Sequence, residues 1–152
     1  MSLNYICKRF DELTIYELYQ ILKLRQEVFI VEQNCVYLDA DGKDLNGYHM
    51  MGYDQANELH CYTRLLPEGI SYPDYTSIGR VINSATVRGK GYGKELMVLS
   101  IQKIKELYPN YSIKIGAQAY LKKFYESLGF LDLGEPYIED GIPHIIMILN
   151  LS

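Results

Sequence analysis

The segment Arg88-Gly89-Lys90-Gly91-Tyr92-Gly93 is where residue type and spacing first point to chemistry. It joins a β-type run to a helical one. Gly91 and Gly93 let the backbone turn tightly and approach a ligand closely. A helix opening there presents unpaired N–H groups at the positive end of its dipole. Arg88, Lys90 and Lys94 add positive charge, so the segment suits a phosphate or pyrophosphate. On the residues alone three readings compete. One is a solvated glycine turn. A second is a Walker loop, but GxxxxGK[ST] is absent. The third is a dinucleotide fingerprint, but the spacing is GxGxG instead of GxGxxG, and no strand ending in an acid follows at the expected distance.

Other reactive side chains are scattered. His49, His60 and His144 belong to a residue type that exchanges protons near neutral pH, but no partner spacing accompanies them. Tyr125 shares a helical face with Leu121, Phe124 and Leu128, which reads as core. There are 15 tyrosines and no tryptophan, so most tyrosines must be packing residues with a polar tip. Cys7, Cys35 and Cys61 are an odd number at wide spacing, without a CxxC pair. They read as reduced thiols of a cytosolic protein, and no constellation requires a metal.

The elements that must position these groups follow from periodicity. Tyr5 to Arg9 is a first strand. Thr14 to Glu17 matches a capping box, followed by Leu18, Ile21, Leu22, Arg25, Val28 and Phe29 at helical spacing. Arg25 on that apolar face needs a partner or a route to solvent. Asn34 to Asn46 is an acidic loop. Strands are expected at 48–53, 59–66 and 76–83, a helix at 93–108 and a short strand at 112–117. A second helix at 119–128 is closed by Gly129, and strands around 130–133 and 142–149 finish the chain. The order is that of an α+β protein with a mixed sheet, not strict βαβ alternation.

Composition sets the bounds. The 152 residues suit one domain over 1–152. Hydrophobic residues at 48% and charged residues at 22% fit a globular protein. A net charge of −4 argues against a nucleic-acid-binding role. No apolar run approaches the roughly 18 residues of a membrane span, and the first residues lack a signal-peptide pattern. A cytoplasmic location with no membrane partner is the expectation.

Arg88 to Gly93 resembles the pyrophosphate loop [QR]-x-x-G-x-[GA] of the GNAT acyltransferase superfamily. Its context agrees, with Gly79-Arg80-Val81 on the strand before it and Phe124-Tyr125-Glu126-Ser127-Leu128-Gly129-Phe130 one strand and one helix later. The chain resembles the ElaA-like branch along nearly its whole length: Arg25 with Val28 to Gln33, Asp41 to Asp44, Arg64 to Pro67, Ile78 to Val81, Ala117 to Ala119 and Glu139 to His144.

The resemblance implies a GNAT acyl-CoA N-acyltransferase fold: a central, mostly antiparallel sheet of about seven strands with one splayed parallel pair, flanked by about four helices. It implies acetyl-CoA as donor and a small-molecule or peptide amine as acceptor. The pyrophosphate would lie on the N–H groups of Gly89, Lys90, Gly91, Tyr92, Gly93 and Lys94, with Arg88 at the edge. The pantetheine would run between the strand through Val81, Ile82 and Asn83 and the strand through Ile113 to Ile115. Gln118 stands where many relatives carry Asn. A backbone N–H near Val81 would polarise the thioester carbonyl, and Tyr125 would protonate the departing thiolate. For a general base, His49 and Glu32 are candidates, with His144, Glu139 and Asp140 also in view. Gln33, Glu139 and His144 are candidates for the acceptor site. The acids Glu32, Asp39, Asp41, Asp44, Glu139 and Asp140 would line such a site or form a solvated acidic surface. Tyr37, Tyr48 and Tyr137 would add stacking surface. A non-catalytic acyl-CoA-binding module on the same fold is the alternative. Homodimers are common among relatives, but no seam for one is visible in the residues.

Overall fold

The structure, a computed structural model, describes residues 1–151. Strand β1 (Asn4–Arg9) leads to helix α1 (Ile15–Arg25), and strands β2 (Tyr48–Tyr53), β3 (Leu59–Leu66) and β4 (Ser77–Asn83) follow. Helix α2 (Tyr92–Leu107), β5 (Ile113–Gln118), α3 (Lys122–Ser127), β6 (Leu131–Glu139) and β7 (Ile142–Leu149) complete it.

Helix α1 starts where the sequence places it. The Thr14 hydroxyl accepts from the Glu17 N–H at 3.1 Å, and the Glu17 carboxylate accepts from the Thr14 N–H at 2.8 Å. The helical periodicity that runs on to Phe29 conceals a change of winding. Gln26–Glu32 is a π-helix, a form frequent at functional sites. It keeps Val28 in the core and brings Phe29, Glu32 and Gln33 to the cavity described below.

The strands form two antiparallel sheets, in the orders β1-β2-β3-β4 and β5-β7-β6. They meet at one parallel bridge, Thr76 with Ile113. The expected seven strands, mostly antiparallel with one splayed parallel pair, are present as two ladders sharing that seam, and among the described residues three α-helices stand where about four were expected. The difference lies in short turns: the π-helix, and a 3-10 turn over Ala119–Leu121 that replaces the first part of the predicted second helix. Strand β6 outruns its expected end at Leu133. Gly134-Glu135-Pro136 reads as a stop, yet the strand continues through a bulge, its pairing passing from Asp132–Met147 to Pro136–Ile145. An edge strand tolerates proline because its outer N–H has no ladder partner.

One core spans the seam. Leu65 and Ile78 of the first sheet pack with Ile113, Ile115, Ile145 and Met147 of the second, under Met97 and Ile104 of α2 and beside Tyr125 and Phe130. On the opposite face of the first sheet, Ile21, Leu24 and Val28 cover Met51, Tyr62 and Ile82. Cys7, Cys35 and Cys61 are free thiols. Among the described residues no helix is long and apolar enough to cross a membrane.

Candidate active site

Beyond Thr76 the facing edges of β4 and β5 part. The Thr76 N–H donates to Ser112 O at 3.0 Å and Lys114 N–H donates to Thr76 O at 2.9 Å, and there the backbone pairing between the two strands ends. The opening is a cavity of about 840 Å³ lined by Gly79 to Asn83 on one side and Ile115 to Gln118 on the other. Unpaired strand edges offer donors and acceptors to an extended ligand. Within β4 the pairing to β3 passes from Ile82–Tyr62 to Gly79–Arg64, so Arg80 and Val81 share one position opposite Thr63. This is a β-bulge, a device that re-aims backbone groups beside active sites. Arg80 adopts a φ of 49°, a left-handed conformation costly for a side chain of its size. The sequence carries no sign of this.

Arg80 is held there by ion pairs. Its Nε lies 2.7 Å from Asp39 Oδ1 and its Nη2 lies 3.3 Å from Asp41. Asp39 and Asp44 in turn clasp Arg25 at 2.8 and 2.7 Å, and Arg64 pairs with Asp41 and Asp44 at 2.8 and 2.9 Å. Arg25 is fully buried. Burial alone would raise Asp41, but hydrogen bonds and charge from Arg64 hold its carboxyl at about 2. Arg25 and Arg64 likewise outweigh burial at Asp44 and keep it below the ordinary carboxylate range. The acidic-surface and acceptor-site readings of Asp39 and Asp44 are both corrected: with Asp41, these carboxylates balance the charges of Arg25, Arg64 and Arg80, of which Arg64 and Arg80 line the cavity.

At one end of the cavity the glycine segment enters α2. Gly91 is the N-cap residue with φ 85° and Gly89 has φ 75°. No side chain caps the helix, so its first N–H groups stay available. Arg88 and Gly93 line the cavity. Lys90 Nζ folds back to Thr86 O at 3.1 Å. The Tyr92 hydroxyl donates to Met1 O, so that side chain points to the amino terminus, and any ligand contact from Tyr92 is through its backbone. Lys94 is exposed. Val81, Ile82, Asn83 and Gln118 all line the cavity, with Ile82's side chain in the core. Arg88 is pinned across the mouth, its Nε on Asn83 O at 2.8 Å and its Nη1 on Glu32 at 2.6 Å. Glu32, a base candidate, is thus engaged in an ion pair.

Tyr125 belongs to the core and also faces the cavity. Its ring packs edge-on between Phe124 and Phe130, at centroid distances of 5.2 and 5.8 Å. The residue also lines the cavity, and among the described residues its hydroxyl has no hydrogen-bond partner. Burial, with Tyr120 nearby, pushes the phenol up to about 12. The phenol therefore stays protonated throughout the physiological range.

His49 is not beside the cavity, and its placement as a base is corrected. It is buried under the Asp41–Asp44 loop with both ring nitrogens occupied. Nε2 donates to Asp44 O at 3.0 Å, and Nδ1 accepts from the Tyr62 hydroxyl at 2.6 Å. Burial, reinforced by Arg25 and Arg64, lowers its pKa. His60 is committed in the same manner, to Asp54 at 2.8 Å and to the Ser84 hydroxyl at 2.8 Å. Asp54, Glu58 and His60 bring three potential metal ligands within 4.8 Å of one another, but Asp54 and His60 are spent on each other.

The acceptor candidates Gln33, Glu139 and His144 all line the cavity, with Asp140 and Asp41. Tyr37 and Tyr137 join them. Tyr48 does not, and instead lines a separate hollow with Tyr108. Sequence reasoning missed Tyr72 and Lys43, which reach the cavity from loops without periodicity. Gly116 on β5 was also missed: a Cβ there would collide with the Tyr137 hydroxyl and lie 3.3 Å from that of Tyr72.

A family model described as an acetyltransferase (GNAT) domain matches residues 25–151. The Escherichia coli protein ElaA is 44% identical over 139 residues, covering 90% of each chain. Its crystal structure superposes with a TM-score of 0.90 over 97% of this chain and 99% of that one, at 39% identity. An acyl-CoA N-acyltransferase structure from Pseudomonas aeruginosa gives a TM-score of 0.92 at 40% identity, covering 98% of this chain and all of that one. A UPF0039 protein of Synechocystis is 42% identical over 151 residues, 99% of this chain and 97% of its own. The splayed strands, the basic glycine turn and these matches agree, and the chain belongs to the GNAT acyltransferase family, with ElaA among its relatives.

Proposed function

We propose that this chain is a single-domain N-acetyltransferase, with acetyl-CoA as donor and a primary amine as acceptor, and that transfer is by direct attack in a ternary complex. The observation that carries the reading is the open seam between β4 and β5, with the glycine turn at one end and the unpartnered Tyr125 hydroxyl within it. The pyrophosphate would sit on the first N–H groups of α2, where the dipole favours anions, with Arg88 exchanging Glu32 for phosphate. The pantetheine amides would pair with the free edges of β4 and β5. An N–H at the Val81 bulge would polarise the thioester carbonyl. After attack, Tyr125 would protonate the thiolate. The phenol's high pKa suits this task, because burial raises a thiol as well: in this protein it pushes Cys61 up to about 12 and Cys7 to about 11.

Calorimetric titration with acetyl-CoA, using ATP and NAD as controls, tests the donor site, and thiol release with amines tests the transfer. Binding of acetyl-CoA alone is expected. Binding without thiol release from any amine would favour a non-catalytic acyl-CoA module, and no binding to folded protein would end the reading. Gly91→Val should abolish acetyl-CoA binding, since a β-branched residue resists the φ of 85° that turns the chain into α2. An unchanged dissociation constant in a folded variant would refute this placement of the pyrophosphate.

A further inference from the structure

The three histidines differ in one respect that bears on the reaction. A backbone carbonyl can only accept, and a carboxylate accepts when ionised, so each ring's tautomer follows from its partners. In His49 and His60 a carbonyl or carboxylate takes one N–H, and a hydroxyl donates to the other nitrogen. Neither retains a free lone pair. His144 donates from Nδ1 to Ile142 O at 2.7 Å, which leaves the Nε2 lone pair bare. Among the described residues Nε2 has no hydrogen-bond partner. Glu139 Oε2 is 3.7 Å away, too far for a hydrogen bond but close enough to stabilise a positive ring. His144 is also the histidine that lines the cavity.

Its placement is set by two strand neighbours and one ring. His144 on β7 pairs with Gln118 on β5 and with Tyr137 on β6, and the imidazole stacks on the Tyr137 ring at 5.3 Å. Titratable groups lining the same cavity include Tyr137 and Glu139 from β6, Asp140 from the following turn, Tyr72 from the loop before β4, Tyr120 beyond β5, and Cys35, whose thiol donates to Asp140 O. Burial, with Tyr72 and Glu139 adding to it, pushes Tyr137 up to about 12, so that phenol stays neutral.

We infer that His144 Nε2 is the general base that deprotonates the acceptor, and that Glu139 stabilises the imidazolium formed; this rests on the acetyl transfer proposed above. The acceptor enters as an ammonium ion and gives one N–H proton to Nε2. The freed lone pair forms the C–N bond and the C–S bond breaks, its electron pair leaving on sulfur. Tyr125 gives its proton to sulfur, and the phenolate takes the second proton from the new amide nitrogen. His144 releases its proton to solvent, so one acetyl-CoA and one ammonium ion give one amide, one CoA thiol and one proton.

Two measurements test this. In protein labelled with nitrogen-15 at histidine, with His144→Gln used for assignment, the neutral His144 ring should carry its hydrogen on Nδ1. A dominant Nε2–H tautomer would overturn the inference whatever the turnover, and acetyl-CoA calorimetry would still judge the donor site separately. In thiol-release assays His144→Gln should slow transfer to ethylamine or spermidine about 10²-fold near neutral pH. Transfer to trifluoroethylamine, already unprotonated at neutral pH, should be nearly unaffected. An equal slowing for both kinds of amine would show that His144 only shapes the cavity, and would reject the base role.

Discussion

Replacing Arg25 with methionine should destabilise the protein by about 3 kcal/mol at neutral pH, at the lower end of the cost of breaking a buried ion pair. The reason for the lower end is visible in the network. Asp39 keeps Arg80 and Asp44 keeps Arg64 when Arg25 is gone, so neither carboxylate is wholly orphaned. One negative charge is nonetheless left over among groups that were balanced, and the Arg25 guanidinium over the Tyr62 ring is lost. In a chain of this length the melting temperature should fall on the order of 10 °C. Arg25→Lys should recover little, because an ammonium cannot hold Asp39 and Asp44 in the same fork. Arg9→Met breaks the exposed pair with Asp11 and should leave the melting temperature nearly unchanged. Denaturant melts at neutral pH decide the matter, and an Arg25→Met variant as stable as the parent would refute this account of the network.

The same network fixes the direction of acid sensitivity. Asp41 and Asp44 are held below their unfolded values. A depressed acid contributes its full stability above the unfolded pKa, and that contribution is lost as pH falls through the folded value. The parent should therefore lose stability between about pH 4 and pH 2. Arg25→Met should lose less over that window, having already given up one cation beside Asp44.

Tyr125→Phe should lower the rate of the chemical step by about 10²-fold or more, the usual worth of a positioned proton donor. Acetyl-CoA affinity should hold, because the ring contacts with Phe124 and Phe130 survive and only the unpartnered hydroxyl is lost. The pH profile adds a sharper test. A catalytic acid is active while protonated, and burial carries Tyr125 to about 12. It can cause no loss of rate on the alkaline side below about pH 11. An alkaline limb nearer neutrality must come from another group and should persist in Tyr125→Phe. Equal rates for parent and variant across the range would remove Tyr125 from the mechanism.

Much of this arrangement could be read from residue order, and what could not has physical causes. Strands β2, β3 and β7 and the Thr14 cap carry local signals, in the form of apolar runs, alternation and a hydroxyl three residues before a carboxylate. The glycine turn announces itself because only glycine serves there. The left-handed backbone at Arg80 does not, since arginine has no preference for it and the cause lies 41 residues away in Asp39. The acids at 39, 41 and 44 looked available for a cation because their partners, Arg25, Arg64 and Arg80, come from three separate elements. The histidines were indistinguishable in sequence for the same reason. Their fates depend on a tyrosine hydroxyl, a serine and a backbone carbonyl that only the folded chain assembles.

The single bridge between Thr76 and Ile113 has a dynamic consequence. Each sheet is built from a continuous stretch of chain, the first ending at Asn83 and the second beginning at Ile113. Segments organised in this manner open as cooperative units, and here few backbone hydrogen bonds cross between them, the shared core supplying the rest of the contact. Here that line of weakness is also the line of the proposed donor site. A fluctuation that widens the slot for a thioester would also be a step toward separating the two halves, and a bound donor would act as a clasp upon it.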